Sequence, residues 1–374
     1  MQEANAAEED WELLKSFFPA GWEAVAKESG ALKGLRQDKS PESYLRVILM
    51  HIGCGLSLRE TVTRAGKAGL ADLSDVALLK RLRKSKEWLR RLCEALLAEQ
   101  PHRPELARSP ALRLVDSTLV KEPGQTGSQW RIHYSLQWPG LGCDYFKLTA
   151  TEGKGTAESL AQCPLCAGDH VLADRGYCRA QDFHYAAARG AYTLIRHNPN
   201  ALRLETPAGK LFPLLERLAV LTETGQTAAW PVRLPLEGAE PLPARLCVIR
   251  KDQTAIHRAL KKLRRKARKN GRTIEPATLR YAEFVMVLTT FPAQDFPTER
   301  VLEHYRFRWQ VELLFKRFKQ LAQLGHLPKY DDESSQAWLY GKLFVTLLTE
   351  KLIAHARAFS PWGFPLRTVV QPLV

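Results

Sequence analysis

The spacing of apolar residues changes along the chain. From residue 9 to 100 it follows a helical period. Between Ser57 and Leu92 two amphipathic segments flank GKAGLADLSD, where glycines break the first helix and Ser74 or Asp75 can cap the second. The polar, proline-punctuated stretch HRPELARSP (102–110) reads as a linker. After it the pattern becomes that of strands. LRLVDSTLV, QWRIHYSLQW, CDYFKLTAT, HVLAD and AYTLIRH are short runs rich in Val, Leu, Ile, Thr and aromatic residues. Helix-like segments around 156–162 and 179–189 complete an order of three strands, helix, strand, helix, strand, which is an α/β layer arrangement. Residues 198–278 interrupt it with Pro-rich, strand-containing sequence ending in IHRALKKLRRKARKNGR. YAEFVMVLTTF then resumes a buried strand, and Thr298 after Pro297 is placed to cap a helix that runs through HYRFRWQVELLFKRFKQL (304–321).

The 374 residues suffice for two or three domains and a substantial core. A formal net charge of +15 changes the picture, because it favours a polyanionic partner such as nucleic acid or an anionic membrane surface. No apolar run is long enough to span a membrane, and the acidic start MQEANAAEEDWELL lacks the basic flank of a secretory signal. A cytoplasmic protein is expected. Seven cysteines scattered over the chain suit reduced thiols, and the lone CxxC of Cys163 and Cys166 has no second pair at zinc spacing. The second amino-terminal segment carries Lys80, Arg81, Arg83 and Lys84, as a helix-turn-helix-like DNA-binding bundle would, or any bundle with a solvated basic face. In the segment 256–272, Ile256, Leu260, Leu263 and Ala267 form one apolar stripe. Nine Lys or Arg, among them Lys261, Lys262, Arg264 and Arg265, cover the rest, and their mutual repulsion is relieved by phosphates.

The helix through 304–321 sets one carboxylate, Glu312, among five Lys or Arg and five aromatic residues. At about 100° per residue, Tyr305, Arg308, Glu312 and Lys319 fall in an arc of roughly 60°. A plain salt bridge between Glu312 and Arg308 is one reading. Two more acids stand at strand ends: Asp116 after LRLV and Asp174 after VLA. An acid leaving a buried strand is costly unless it is paired, caps a turn or faces a cleft. Three hard oxygen donors together would suit Mg²⁺.

VDST (115–118), ADRGY (173–177), WRIHY (130–134) and the column Tyr305, Arg308, Glu312, Lys319 together resemble the insertion-sequence-four family of DDE transposases, over roughly residues 40–350. The resemblance implies an RNase H-like α/β core interrupted by a mainly β insertion domain and preceded by an all-α DNA-binding region. In that scheme residues 1–105 are the helical domain, 110–197 and 279–355 the two parts of the core, 198–278 the insertion with its basic helix, and 356–374 a short tail. It further implies that Asp116, Asp174 and Glu312 hold two Mg²⁺ ions, for which Mn²⁺ substitutes. Tyr305, Arg308 and Lys319 would grip end phosphates, with Arg175 and Tyr177 of the DRGY motif also at the DNA. Where a relative stacks a Trp on a flipped base, the nearest aromatic here is Phe284. The implied activity is cleavage at the element's terminal inverted repeats and strand transfer into target DNA, by a homodimer that pairs two ends, in the bacterial cytoplasm at the nucleoid, with no membrane partner. A transposase-derived DNA-binding regulator without catalysis, or a nuclease without end specificity, are the competing readings.

Overall fold

The computed structural model describes residues 10–34, 40–99, 112–121, 129–138, 142–153, 156–306, 308, 313, 327 and 331–358. Helices α1 (Trp22–Glu28), α2 (Pro41–Gly53), α3 (Leu58–Lys67), α4 (Asp75–Lys84) and α5 (Lys86–Ala98) come first. Strands β1 (Leu112–Lys121), β2 (Gln129–Trp138), β3 (Gly142–Ala150) and β4 (His170–Ala173) follow, then α6 (Ala180–Ala187) and β5 (Tyr192–Arg196). Next come α7 (Leu214–Ala219), β6 (Thr227–Leu236), β7 (Ala239–Arg250), α8 (Gln253–Lys269), α9 (Pro276–Tyr281), β8 (Phe284–Thr289), α10 (Thr298–Arg306) and α11 (Asp332–Ala358). The chain divides into two compact units, one of Met1–His102, Leu119–Arg131 and Phe315–Val374, the other of Arg103–Thr118 and Ile132–Leu314.

In the first unit the helix starts are written in serines. Ser40, Ser57 and Ser74 each accept a hydrogen bond from the backbone N–H three residues on, capping α2, α3 and α4. Ser57 and Glu60 have the spacing of a capping box. The expected break between two amphipathic segments is therefore the α3–α4 turn, capped by Ser74. Trp88 of α5 is fully buried, stacked beside Trp22 and Tyr44, and its indole N–H donates to the Trp22 carbonyl at 3.0 Å. The long helix α11 packs on α2, α4 and α5. Gly341 makes the α2 approach possible, because a Cβ there would collide with Ile52.

The second unit is built on one eight-stranded mixed sheet of order β3-β2-β1-β4-β5-β8-β7-β6. β1, β4 and β5 are parallel neighbours, whereas β5–β8, β8–β7 and β7–β6 are antiparallel. The central strands are covered on both faces, which is why HVLA and YTLIR read as nearly unbroken apolar runs. Arg113, inside β1, is buried but pairs with Asp144 at 2.9 Å and Asp169 at 2.8 Å. A buried guanidinium is tolerable only on such terms.

Three expectations change in detail. The segment around 156–162 forms only a 3-10 turn, Leu160–Gln162, because the buried Asp182 carboxylate takes the N–H of Leu160 and the hydroxyl of Ser159, fixing the chain before Pro164. Thr298 is the first residue of α10 and not its cap; the Pro297 carbonyl accepts the first bond, from Val301 N–H at 3.0 Å. The strands of the interrupting segment, β6 and β7, continue the main sheet through β8, and the basic helix α8 follows them.

Candidate active site

β1 and β4 run in parallel with Val115 opposite Ala173. The next residue on each is an acid: Asp174 follows the end of β4, whereas Asp116, expected at a strand end, lies within β1 at the same level, with backbones about 5 Å apart. Asp116 Oδ1 accepts from the Ser117 N–H at 2.7 Å. Asp174 Oδ1 accepts from the Gly176 N–H at 2.6 Å, capping the 3-10 turn Arg175–Tyr177. Burial pushes the Asp116 carboxyl up to about 7; the Ser117 N–H opposes this, the charge of Asp174 adds to it, Arg308 opposes, and Glu158 adds again. Asp116 is thus a buried acid with a like charge beside it, whose cost Arg308 only partly offsets. Among the described residues no three His, Cys, Asp or Glu side chains converge closely enough to hold a metal ion. Glu312 and Lys319 lie outside the described residues.

Arg308 and Tyr305 are brought to this place. The Arg308 guanidinium carbon lies 5.9 Å from the centre of the Tyr305 ring. Tyr305 is 9% exposed, and burial pushes its phenol up to about 12 against the pull of Arg308 and Arg196. Arg175 donates to Asn198 Oδ1 at 2.6 Å, and its pKa is lowered by burial and then by Arg196. Lys251 donates to the Ala282 carbonyl at 2.5 Å, and burial with the charge of Arg196 pushes it down to about 8. Arg196, at the end of β5, is therefore a common neighbour of Arg175, Lys251 and Tyr305, and it was not singled out in the sequence. Its signal was available, since it ends the apolar run YTLI on a strand adjoining β4. Glu158 was also missed: it accepts from the Ser117 hydroxyl at 3.0 Å and acts electrostatically on Asp116. No periodicity marks it, because its segment is neither helix nor strand.

Other expected DNA contacts fall elsewhere. Tyr177 is 0% exposed, a core residue beneath Asp116, so it supports the site and offers no surface to a nucleic acid. Phe284 is 1% exposed in the sheet core, with Arg280 over its ring, and cannot stack on a base. In the helical unit, Arg81 donates to the carbonyls of Lys33 and Gly34, Lys84 donates to the Lys33 carbonyl, and Arg83 pairs with Asp331. These three cations have structural partners, and Lys80 is exposed. On α8, Lys261, Lys262, Arg264 and Arg265 are all exposed while Ile256 anchors the helix.

The raised Asp116 pKa has a consequence for the metal-free protein. Its folded value, about 7, lies above the ordinary carboxylate range, so between pH 4 and 7 the folded state binds the extra proton and stability falls as pH rises. Asp116→Asn is expected to flatten that slope. In EDTA the variant should match the native protein near pH 4 and exceed it at pH 8, by at most about 4 kcal/mol. Thermal unfolding across this range measures it, and parallel curves for the two proteins would refute the coupling.

The chain matches the family described as "Transposase DDE domain" over residues 149–348. That span includes Asp174 and Glu312; Asp116 precedes it and reaches Asp174 through the β1–β4 register. The chain is 30% identical over 364 residues to the putative transposase InsL for insertion sequence element IS186A of Escherichia coli (strain K12), covering 96% of this chain and 97% of that one. It is 30% identical over 365 residues to the transposase for insertion sequence element IS421 of Escherichia coli, with coverage of 96% and 97%. To the transposase for insertion sequence element IS231F of Bacillus thuringiensis subsp. israelensis it is 23% identical over 279 residues, covering 67% of this chain and 58% of that one. With a sheet that sets two acids side by side and likeness along nearly its whole length, the chain belongs to the insertion-sequence-four family of DDE transposases.

Proposed function

We propose that this protein cleaves DNA at the terminal inverted repeats of its own element and transfers the freed strands into target DNA. The observation that carries the reading is the side-by-side placement of Asp116, within β1, and Asp174, just past the end of its parallel neighbour β4, with Arg308 electrostatically coupled to Asp116. The donor chemistry fits divalent metal: two hard carboxylate oxygens in a pocket whose burial and mutual repulsion a cation would relieve. Asp116, Asp174 and Glu312 would hold two Mg²⁺ ions, with Mn²⁺ as a substitute. When bound, such ions activate an attacking oxygen and stabilise the leaving one. The protein's own side chains bind and orient the strand. Arg308 is suited to fork onto a phosphate, Lys319 to meet one as a point charge, and Tyr305 to brace Arg308 from the buried side.

The order β3-β2-β1-β4-β5, with β1, β4 and β5 parallel, supports an RNase H-like core in residues 110–197 and 279–355. Residues 198–278 are then the insertion, carrying the exposed basic face of α8, and residues 1–105 the helical DNA-binding region. Two copies would pair two ends before cleavage. No helix among the described residues is long and apolar enough to cross a membrane, and the working place we assign is the nucleoid. The regulator reading asks for no acids at all, so the paired acids favour the enzyme.

The direct test uses purified protein and a duplex bearing the element's end. Mg²⁺ should give nicking and strand joining, and EDTA should stop both while leaving the bound complex intact. Equal cutting of unrelated duplexes would point instead to a nuclease without end specificity. For α8, replacing Lys261, Lys262, Arg264 and Arg265 with Ala should reduce the slope of log affinity against log salt by up to about 3.6, since each phosphate contact on B-DNA contributes about 0.9. An unchanged slope would remove α8 from the interface.

A further inference from the structure

A third carboxylate stands beside the pair in a place that the surrounding chain leaves open for it. Glu158 Oε1 accepts the Ser117 hydroxyl at 3.0 Å, and the N–H of the same serine donates to Asp116 at 2.7 Å. Ser117 therefore links Glu158 to Asp116. The other oxygen, Oε2, lies against Gly176, the glycine whose N–H holds Asp174. A Cβ at Gly176 would overlap Oε2 far inside van der Waals contact, so the glycine of the DRGY turn leaves the space that Glu158 fills. The φ of Gly176 is not positive, so backbone freedom does not explain this glycine and the room for Glu158 does.

We propose that Glu158 is a positioning residue of the metal site, orienting Asp116 through Ser117 and adding its charge to the pocket's attraction for divalent cations. The proposal rests on the reading of Asp116 and Asp174 as metal-holding acids. Among the described residues Glu158 does not converge with them to form a three-ligand group, so it acts through its neighbours and not as a ligand. Partners of this outer kind fix the direction of a ligating carboxylate, and losing one typically weakens metal affinity by about 10–100-fold.

The test measures Mn²⁺ binding to the full-length protein without DNA, by the loss of the free-ion electron paramagnetic resonance signal. Glu158→Ala should weaken binding by about 10–100-fold. Glu158→Gln keeps an acceptor for Ser117 but removes the charge, and should also weaken binding, by less. Wild-type Mn²⁺ affinity in a folded Glu158→Gln protein overturns the proposal, since it leaves the glutamate only a structural bond to Ser117. Asp116→Asn is the control. If it loses Mn²⁺ while both Glu158 variants keep it, only the role of Glu158 fails; if it too binds as wild type, the metal-site reading beneath falls with it.

Discussion

Asp174→Asn is expected to lower end cleavage and strand transfer by at least about 10³-fold, roughly 4 kcal/mol of barrier, while leaving DNA affinity within a few-fold. The substitution keeps the shape of the side chain and one acceptor for the Gly176 N–H, so the turn Arg175–Tyr177 should persist. What disappears is the negative charge that, together with Asp116, would hold the ions. Phosphodiester transfer asks little of the protein beyond charge and positioning, so loss of the charge has a large effect on rate and little on fold. Asp116→Asn should behave alike in cleavage, even though it stabilises the metal-free protein at high pH. Denaturing gels of end-bearing duplexes, run beside native gels of the complexes, separate the two effects. A Asp174→Asn protein that cleaved at more than a tenth of the native rate would show that the acid caps a turn and does nothing more.

The second large effect concerns stability. Phe284 stands at the start of β8, between β5 and β7, 1% exposed and packed within the sheet core. Phe284→Ala should cost about 3–5 kcal/mol, the usual range for a fully buried Phe, whereas Phe284→Leu should cost far less. Both variants, assayed at a temperature where they remain folded, should process DNA ends as the native protein does. The measurement is a denaturant titration read beside the cleavage assay. A normal unfolding midpoint with a selective defect in end processing would return Phe284 to the DNA.

Phe284 also shows where the sequence was legible and where it misled. The run FVMVLT has no polar alternation, and such a run in a central strand means that both faces are covered. That physical signal already excluded a base-stacking role; the role came from a family analogy placed on the nearest aromatic. Tyr177 is the same case, carried along with DRGY although the fold buries it. Asp174 was legible for the opposite reason, since an acid ending an apolar strand announces an exit from the core; Asp116, expected at a strand end, lies inside β1, where a buried acid must be paired or face a cleft. The cations of α4 were only half legible. Their charge is in the sequence, but Lys33 and Asp331, which occupy Arg81, Arg83 and Lys84, are distant along the chain. Glu158 could not be found at all from pattern, because its importance comes from a missing methyl group at Gly176 and a hydroxyl at Ser117, both remote in sequence.

That β6 and β7 hydrogen-bond into the main sheet by way of β8 means that residues 198–278 are no detachable accessory. Excising it to obtain a minimal enzyme would bare the hydrogen-bonding groups of β8 along a long apolar edge, and such edges recruit other strands. The shortened protein would be driven toward aggregates before its chemistry could be assayed.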